Sequence, residues 1–211
     1  IMGVFQNNLM GAAAAAASAG GGGFYSHQIV NSLRNSSAQD GTLKRTAGTP
    51  TSSDKFTMSY WTKRYNTSGG SSSNLVFTSG TGGGSYIFWG FSTKYFDLQT
   101  TGGNWSTGYL KSTAMYQDTS AWYHHVLTFD STQSTQADRL KIYVNGERIT
   151  SFIDESVTSG IGASEDFSWI NQSGVVQAFG GLSGSGHGTE GANNQMAEIV
   201  FNDGQSYGPD S

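Results

Sequence analysis

The sequence predicts an all-β antiparallel body, a sandwich or a barrel, preceded by a short alanine-rich helical arm. Three observations carry this. Large side chains recur at every second residue in Tyr123, His125, Leu127 and Phe129, and again in Leu140, Ile142 and Val144. That is the period of a pleated strand with one buried face. Further short alternating runs return at regular spacing between Gly-rich turns, with 30 glycines in 211 residues. Charged residues make up only 12% and the net charge is -4, while Ser, Thr, Asn and Gly fill the other positions.

Residues 1–26 stand apart from the rest. Ala12 to Ala17 form an unbroken alanine run, and Gly20 to Gly23 follow it. Alanine favours helix and glycine opposes it, so a helix is predicted over Asn8 to Ala19. About twelve residues of helix is marginal alone in water, so this arm needs a partner. An Ala-rich helix packs closely against copies of itself, which makes a trimer or other ring the expectation. A secretory leader would carry a positively charged start, and Met2 to Asn8 has none.

The body, residues 27–211, opens with a strand in Phe24 to Arg34. Ala38 to Gly41 turns by its Asp-Gly pair, and Thr42 to Thr46 is the strand expected to pair with the first. Lys55 to Arg64 alternates, with Phe56, Met58 and Tyr60 on one side and Thr57, Ser59 and Trp61 on the other. Asn74 to Ser79, Ser85 to Phe91 and Lys94 to Thr100 are further strands, and Trp105 to Lys111 and Ala114 to Gln117 are weaker ones. Asn145-Gly146 supplies the two residues tolerant of positive φ that a tight hairpin turn needs. Ser151 to Asp166 reads as a loop. Phe167 to Ile170, Val175 to Phe179 and Gln195 to Gln205 read as strands.

The run AWYHHVLTFD, a polar loop, then DRLKIYVNG over residues 121–146 resembles the central signature of the concanavalin A-like or laminin-G-like sandwich superfamily. It is most similar to the laminin-G-like proteins of tailed, marine-type bacteriophages. AEIVFNDGQ at residues 197–205 is a second match, and the aromatic strand ending in Trp-x-Lys-Arg at residues 61–64 a third. The main departure is His125, where the family has an aliphatic residue. The resemblance implies a two-sheet antiparallel jelly roll in which the last strand returns beside the first. It also implies a polypeptide that continues past Pro209-Asp210.

Function classes narrow in the same way. Nucleic-acid binders cluster Lys and Arg, whereas Lys44-Arg45 and Lys63-Arg64 are isolated pairs read as solvated strand ends. With no cysteine there is no disulfide, thiolate metal site or cysteine nucleophile. No apolar run approaches the 18 residues or so that a membrane-spanning helix needs. Hydrolytic relatives carry Glu-x-Asp-x-Glu on one strand, and this chain has only the adjacent acids Asp154 and Glu155. His124, His125 and Ser120 invite a triad, but neighbours on one strand face opposite ways, so each histidine reads as a hydrogen-bonded core residue.

Sugar binding calls for exposed aromatic faces beside amides and carboxylates. Trp105, Trp89, Tyr95, His187 and Asn194 are the candidates, with Trp169 and Asn193 as further members. Calcium sits at loop sites in some sandwich relatives, and Asp130 and Asp138, closing one loop, are the best pair of candidate ligands. No other cofactor is expected. Four Asn-x-Ser/Thr sites occur at Asn35, Asn66, Asn104 and Asn171. The resemblance implies a non-enzymatic virion protein (tail fibre, tail appendage or head fibre). It would attach to other virion proteins through its arm and display a lectin-like body at the virion surface for host glycans. A free carbohydrate-binding module or glycosidase, and a ligand-free capsid decoration protein, are the alternatives.

Overall fold

The computed structural model describes residues 29–35, 42–67, 75–82, 85–92, 94–101, 108–167, 169–181 and 192–210. The chain divides into two compact units, Ile1–Asn31 and Ser32–Ser211. The predicted arm helix lies outside the described residues. The second unit is two stacked antiparallel sheets.

A central strand of the first sheet, β3 (Lys55–Arg64), buries alternate residues Phe56, Met58, Tyr60, Thr62 and Arg64. Beside it runs β8 (Tyr123–Asp130), in a register that sets Phe56 opposite Phe129, Met58 opposite Leu127 and Tyr60 opposite His125. Then come β9 (Leu140–Val144), burying Leu140, Ile142 and Val144, and the two-residue β10 (Glu147–Arg148). The turn between them holds Asn145 at φ 52 and Gly146 at φ 85, as the sequence predicts. On the far side of β3 lie β13 (Asn194–Asp203) and β1 (Leu33–Asn35), so the order is β1-β13-β3-β8-β9-β10. The last strand does return beside the first.

The second sheet runs β11-β7-β6-β5-β4-β12-β2. Its strands are β2 (Leu43–Thr46), β4 (Leu75–Gly82), β5 (Ser85–Ser92), β6 (Tyr95–Thr101), β7 (Gly108–Met115), β11 (Phe152–Asp154) and β12 (Val176–Phe179). Side chains from both sheets meet in an aromatic core, where Tyr60 of β3 lies 6.3 Å from Phe179 of β12. Phe56 lies 5.4 Å from Phe129 and 5.5 Å from Phe201, and Phe167 closes on Phe129 at 4.9 Å. Buried aromatic pairs of this kind stabilise beyond the area they remove from water.

Five expectations are corrected. The strand at residues 43–46 does not pair with the first strand. It pairs with β12 in the opposite sheet, while β1 pairs with β13. All four residues of β2 are exposed, so no buried face existed in its sequence to choose a partner. Residues 151–166 are not all loop. They hold β11 and a short helix, α1 (Ser156–Gly160), because Phe152 packs on the core and Val157 and Ile161 are buried. Phe167 to Ile170 is not a strand. Ile170 N donates to Phe167 O across a turn in which Trp169 has φ 68. The two weak strands over residues 105–117 are, in the described part, the single strand β7.

Arg64 is the fifth correction. It is no solvated strand end, because position 64 continues the inward row of β3 and the side chain is 1% exposed. Its Nη1 donates to Tyr116 O at 2.9 Å, and the guanidinium lies 4.3 Å from the centroid of the Phe91 ring. Burial pulls its pKa down to about 10, against a smaller opposing effect of Tyr123, so it stays protonated at neutral pH.

Candidate functional site

The predicted site residues do not gather in one place. Trp105 and His187 lie outside the described residues. Trp89 lies in β5, paired with Phe77 and Leu98. Asn194 is buried, and its Oδ1 accepts from Asn35 Nδ2 at 2.8 Å across β1 and β13, an internal tie. Asn193 uses its carbonyl to hold Tyr65 N, and Trp169 packs against the core. Of the candidate aromatics, Tyr95 alone has a described side chain on a sheet surface.

Asp130 and Asp138 are each engaged by the chain itself. Asp130 accepts from Thr132 N and Oγ1 and from Gln133 Nε2, with Lys55 Nζ at 3.7 Å. Partial burial opposes its charge, but those hydrogen bonds outweigh it and hold the carboxyl below its usual value. Asp138 sits 3.5 Å from Lys141 and 3.2 Å from Arg148. Carboxylates already facing cations and donors fit Ca2+ poorly. Among the described residues no group of three or more His, Cys, Asp or Glu could hold a metal ion.

The histidines divide. His124 Nε2 lies 2.8 Å from Ser59 Oγ and its ring stacks on Trp61 at 4.8 Å, whereas Ser120 is bound to Asp118. The triad suggested by Ser120 is therefore not assembled. His125 is a core residue but not a hydrogen-bonded one. It is 1% exposed and neither ring nitrogen has a partner. It lies flat between Tyr60 at 5.2 Å and Phe96 at 5.6 Å, with Phe91 edge-on. The imidazole acts as one more flat ring in the core.

The site the sequence reading missed surrounds Tyr95. In β6, Phe96, Leu98 and Thr100 are buried on the core side, so Tyr95, Asp97 and Gln99 project from the other face. In β7, Leu110 and Ser112 point inward, leaving Tyr109 and Lys111 beside them. Register aligns Gly90, Asp97, Lys111 and Asp154 in one row across four strands. Gly90, the β5 partner of Asp97, carries no side chain and is itself buried. Lys111 Nζ and Lys94 Nζ lie 5.2 Å and 5.5 Å from the centroid of the Tyr95 ring. Gln99 Nε2 donates to Tyr109 Oη at 3.0 Å. Met115 and Ile153, both more than half exposed, add apolar surface at the β7–β11 end.

Asp97 is the unusual member. It is 5% exposed, and its Oδ1 has no hydrogen-bond partner. Burial raises its pKa. Lys111 opposes that shift and Asp154 adds to it. A buried carboxylate oxygen without a donor is costly, and desolvation coupled to specific charges on a sheet surface is a mark of functional sites. The sequence did carry a signal: in KYFDLQT the acid occupies a strand interior between two core residues.

Helix α1 fixes this corner. Ser156 Oγ accepts from Tyr109 N at 2.9 Å, and a side chain at Gly108 would press on Val157 at 3.1 Å. Two of the Asn-x-Ser/Thr sites are interior. Asn35 and Asn171 are buried with their amides committed, so neither is open to a transferase in the folded chain.

Two stacked antiparallel sheets, with aromatic, amide and carboxylate groups on an outer face, define a lectin-like sandwich. A family model described as the concanavalin A-like lectin/glucanases superfamily (Laminin_G_3) matches residues 36–183, and the chain belongs to that family. Among solved structures it is similar to domains LG4-5 of the mouse laminin alpha1 chain. There the TM-score is 0.55 and identity 12%, covering 85% of this chain and 44% of that one. The LG1-3 region of the laminin alpha2 chain gives TM-score 0.54 at 12% identity, with coverages of 82% and 31%. A native heptameric SAP-like pentraxin from Limulus polyphemus gives TM-score 0.53 at 12% identity, with coverages of 81% and 74%. The chain spans less than half the length of either laminin chain. At this identity the likeness is one of fold. No curated protein matches the chain.

Proposed function

We propose that this chain is a non-enzymatic, lectin-like binding module, and that it serves as a surface protein of a tailed phage virion. The observation that carries the binding role is the outer face of β6 and β7. Tyr95 and Tyr109 offer ring faces, and Gln99, Asp97 and Lys111 offer donors and acceptors of both signs beside them. A few convergent polar groups next to aromatic surface is the composition that small-ligand sites use. Host-surface glycans are the ligands this set suits. The phage role is supported by the residue resemblance over 121–146 and 197–205 and by the alanine-rich arm. The arm attaches the module to other virion proteins, as a trimer or other ring.

Two experiments test this reading. The purified protein applied to a glycan array binds a subset of sugars and leaves them intact. Deletion of residues 2–22 abolishes incorporation into particles. Full incorporation of the deletion overturns the arm's role, and an array without binding leaves a ligand-free decoration protein.

One observation favours the glycosidase alternative: Asp97, with its raised pKa, shares a row with a second carboxylate, Asp154. Glycoside hydrolysis also uses a protonated and an ionised carboxyl. Lys111, the register partner of both, stands in that row. Release of reducing ends that stops in Asp97→Asn would replace binding by catalysis.

A further inference from the structure

We propose that Asp97 is the specificity-determining acceptor of this face, and that the ligand class it selects is a neutral, hydroxyl-bearing pyranose rather than an acidic or amino sugar. This rests on the binding role proposed above. Asp97 Oδ1 is a carboxylate oxygen with no donor from the chain, on a side chain more than nine-tenths buried. Three other carboxylates are satisfied within the chain. Asp130, Asp203 and Asp118 each accept at least two hydrogen bonds from neighbouring groups. An acceptor left open in a dry setting takes a donor when one arrives, and a hydroxyl donating to a carboxylate makes a charge-assisted bond.

The surrounding charges choose among donors. Lys94 and Lys111 flank the Tyr95 ring, and Lys111 stands in register between Asp97 and Asp154. Two cations and two anions in one small area leave no net charge. An ammonium sugar that reached Asp97 would meet both lysines, and a carboxylated sugar would meet Asp97 and Asp154. Like charges at close range are penalised in a partly desolvated site. A neutral ring escapes both penalties. It can lay its apolar face on Tyr95 or Tyr109, offer a hydroxyl to Asp97 Oδ1 and accept from Lys111 or Gln99.

The test is an array carrying neutral, sialylated or uronic, and amino sugars, read with the full chain and with Asp97→Asn. Calorimetric titration of the strongest hit and a thermal melt of each protein accompany it. Wild type is expected to bind neutral sugars. Asp97→Asn, which keeps one oxygen but loses the charge, is expected to weaken that binding about 10-fold or more at unchanged or higher melting temperature. Tyr109→Ala, which leaves the carboxylate in place, weakens the same hits without changing their class. Neutral-sugar binding that survives Asp97→Asn undiminished overturns the inference and leaves the binding role standing. Hits confined to acidic or amino sugars do the same. An array on which the wild type binds nothing overturns both.

Discussion

Asn171 donates from Nδ2 to Asp203 Oδ1 at 2.6 Å, joining a surface turn to the last residue of β13. The same nitrogen donates to Ser52 O at 2.9 Å, and Thr51 N donates to Asp203 Oδ2 at 2.5 Å. Three distant segments are thereby closed around one carboxylate. Asn171 adopts φ 55, a left-handed conformation that asparagine tolerates better than most residues.

Removing this latch has a predictable cost. Burial works against the Asp203 charge, but bonds from Asn171, Thr51 and Ser52 outweigh it and lower its pKa. Asp203→Ala is expected to lose about 1–3 kcal/mol in urea unfolding at neutral pH. Asn171→Ala should cost a similar amount and the double variant less than the sum, since they share one bond. The folded pKa lies below the unfolded one, so this contribution is complete above the usual carboxyl range and fades as pH falls through the folded value.

His125 gives the opposite kind of group, a base kept neutral. Burial, with a smaller contribution from His124, lowers its pKa from 6.5 to about 3. Between those values the unfolded chain binds the proton and the folded chain does not. Stability therefore falls as pH falls through this window, by about 1.4 kcal/mol per pH unit from this residue. Arg64, whose guanidinium lies over the Phe91 ring that packs on the imidazole, adds a nearby fixed positive charge. His125→Leu replaces the ring with an uncharged aliphatic side chain and is expected to flatten the slope by that amount. A wild-type-minus-variant difference independent of pH between 6.5 and 3 would show that the ring is hydrated or protonated in the fold.

What the sequence disclosed follows its periodicity. Strands β3, β8 and β9 alternate over five to ten residues, and their inward rows were readable directly. So was the Asn145-Gly146 turn. Strand β2 carried no such row, and its partner, 132 residues away by the bond from Arg45 Nε to Gln177 Oε1, is set by the return of β12. Arg64 was misread because its charge outweighed its place in the inward row. The candidate site was half visible. Tyr95 was found as an aromatic, but Asp97 matters only once register places it beside Gly90 and Lys111.

The β9–β10 turn makes a sharper test of local geometry. Asn145 and Gly146 both have positive φ, and Asn145 Oδ1 also accepts from His124 N at 2.9 Å. A Cβ at Gly146 would meet nothing within 4 Å, so strain there is purely backbone. Gly146→Ala is expected to cost roughly 1 kcal/mol. Asn145→Ala should cost more, about 1–2 kcal/mol, because it loses the bond to His124 as well as the tolerance of positive φ. Chemical denaturation of the two variants gives the order directly.

The Asp97 carboxylate should stand out from every structural carboxylate in the chain by the sign of its effect on stability. Its pKa is raised chiefly by burial, so its charged form is less stable in the fold than in the unfolded chain. As pH rises from the usual carboxyl range through the raised folded value, the fold loses stability. Asp97→Asn removes the charge while keeping the shape, and is expected to unfold at the same or a higher urea concentration than wild type at pH 7, with the gain vanishing near pH 3. Asp203→Asn, which breaks a satisfied carboxylate, should move the other way. Opposite signs at two aspartates of one sandwich fit a residue retained at the expense of stability, the pattern of a binding group. A loss of several kcal/mol in Asp97→Asn at pH 7 would instead make its charge a structural element of the sheet.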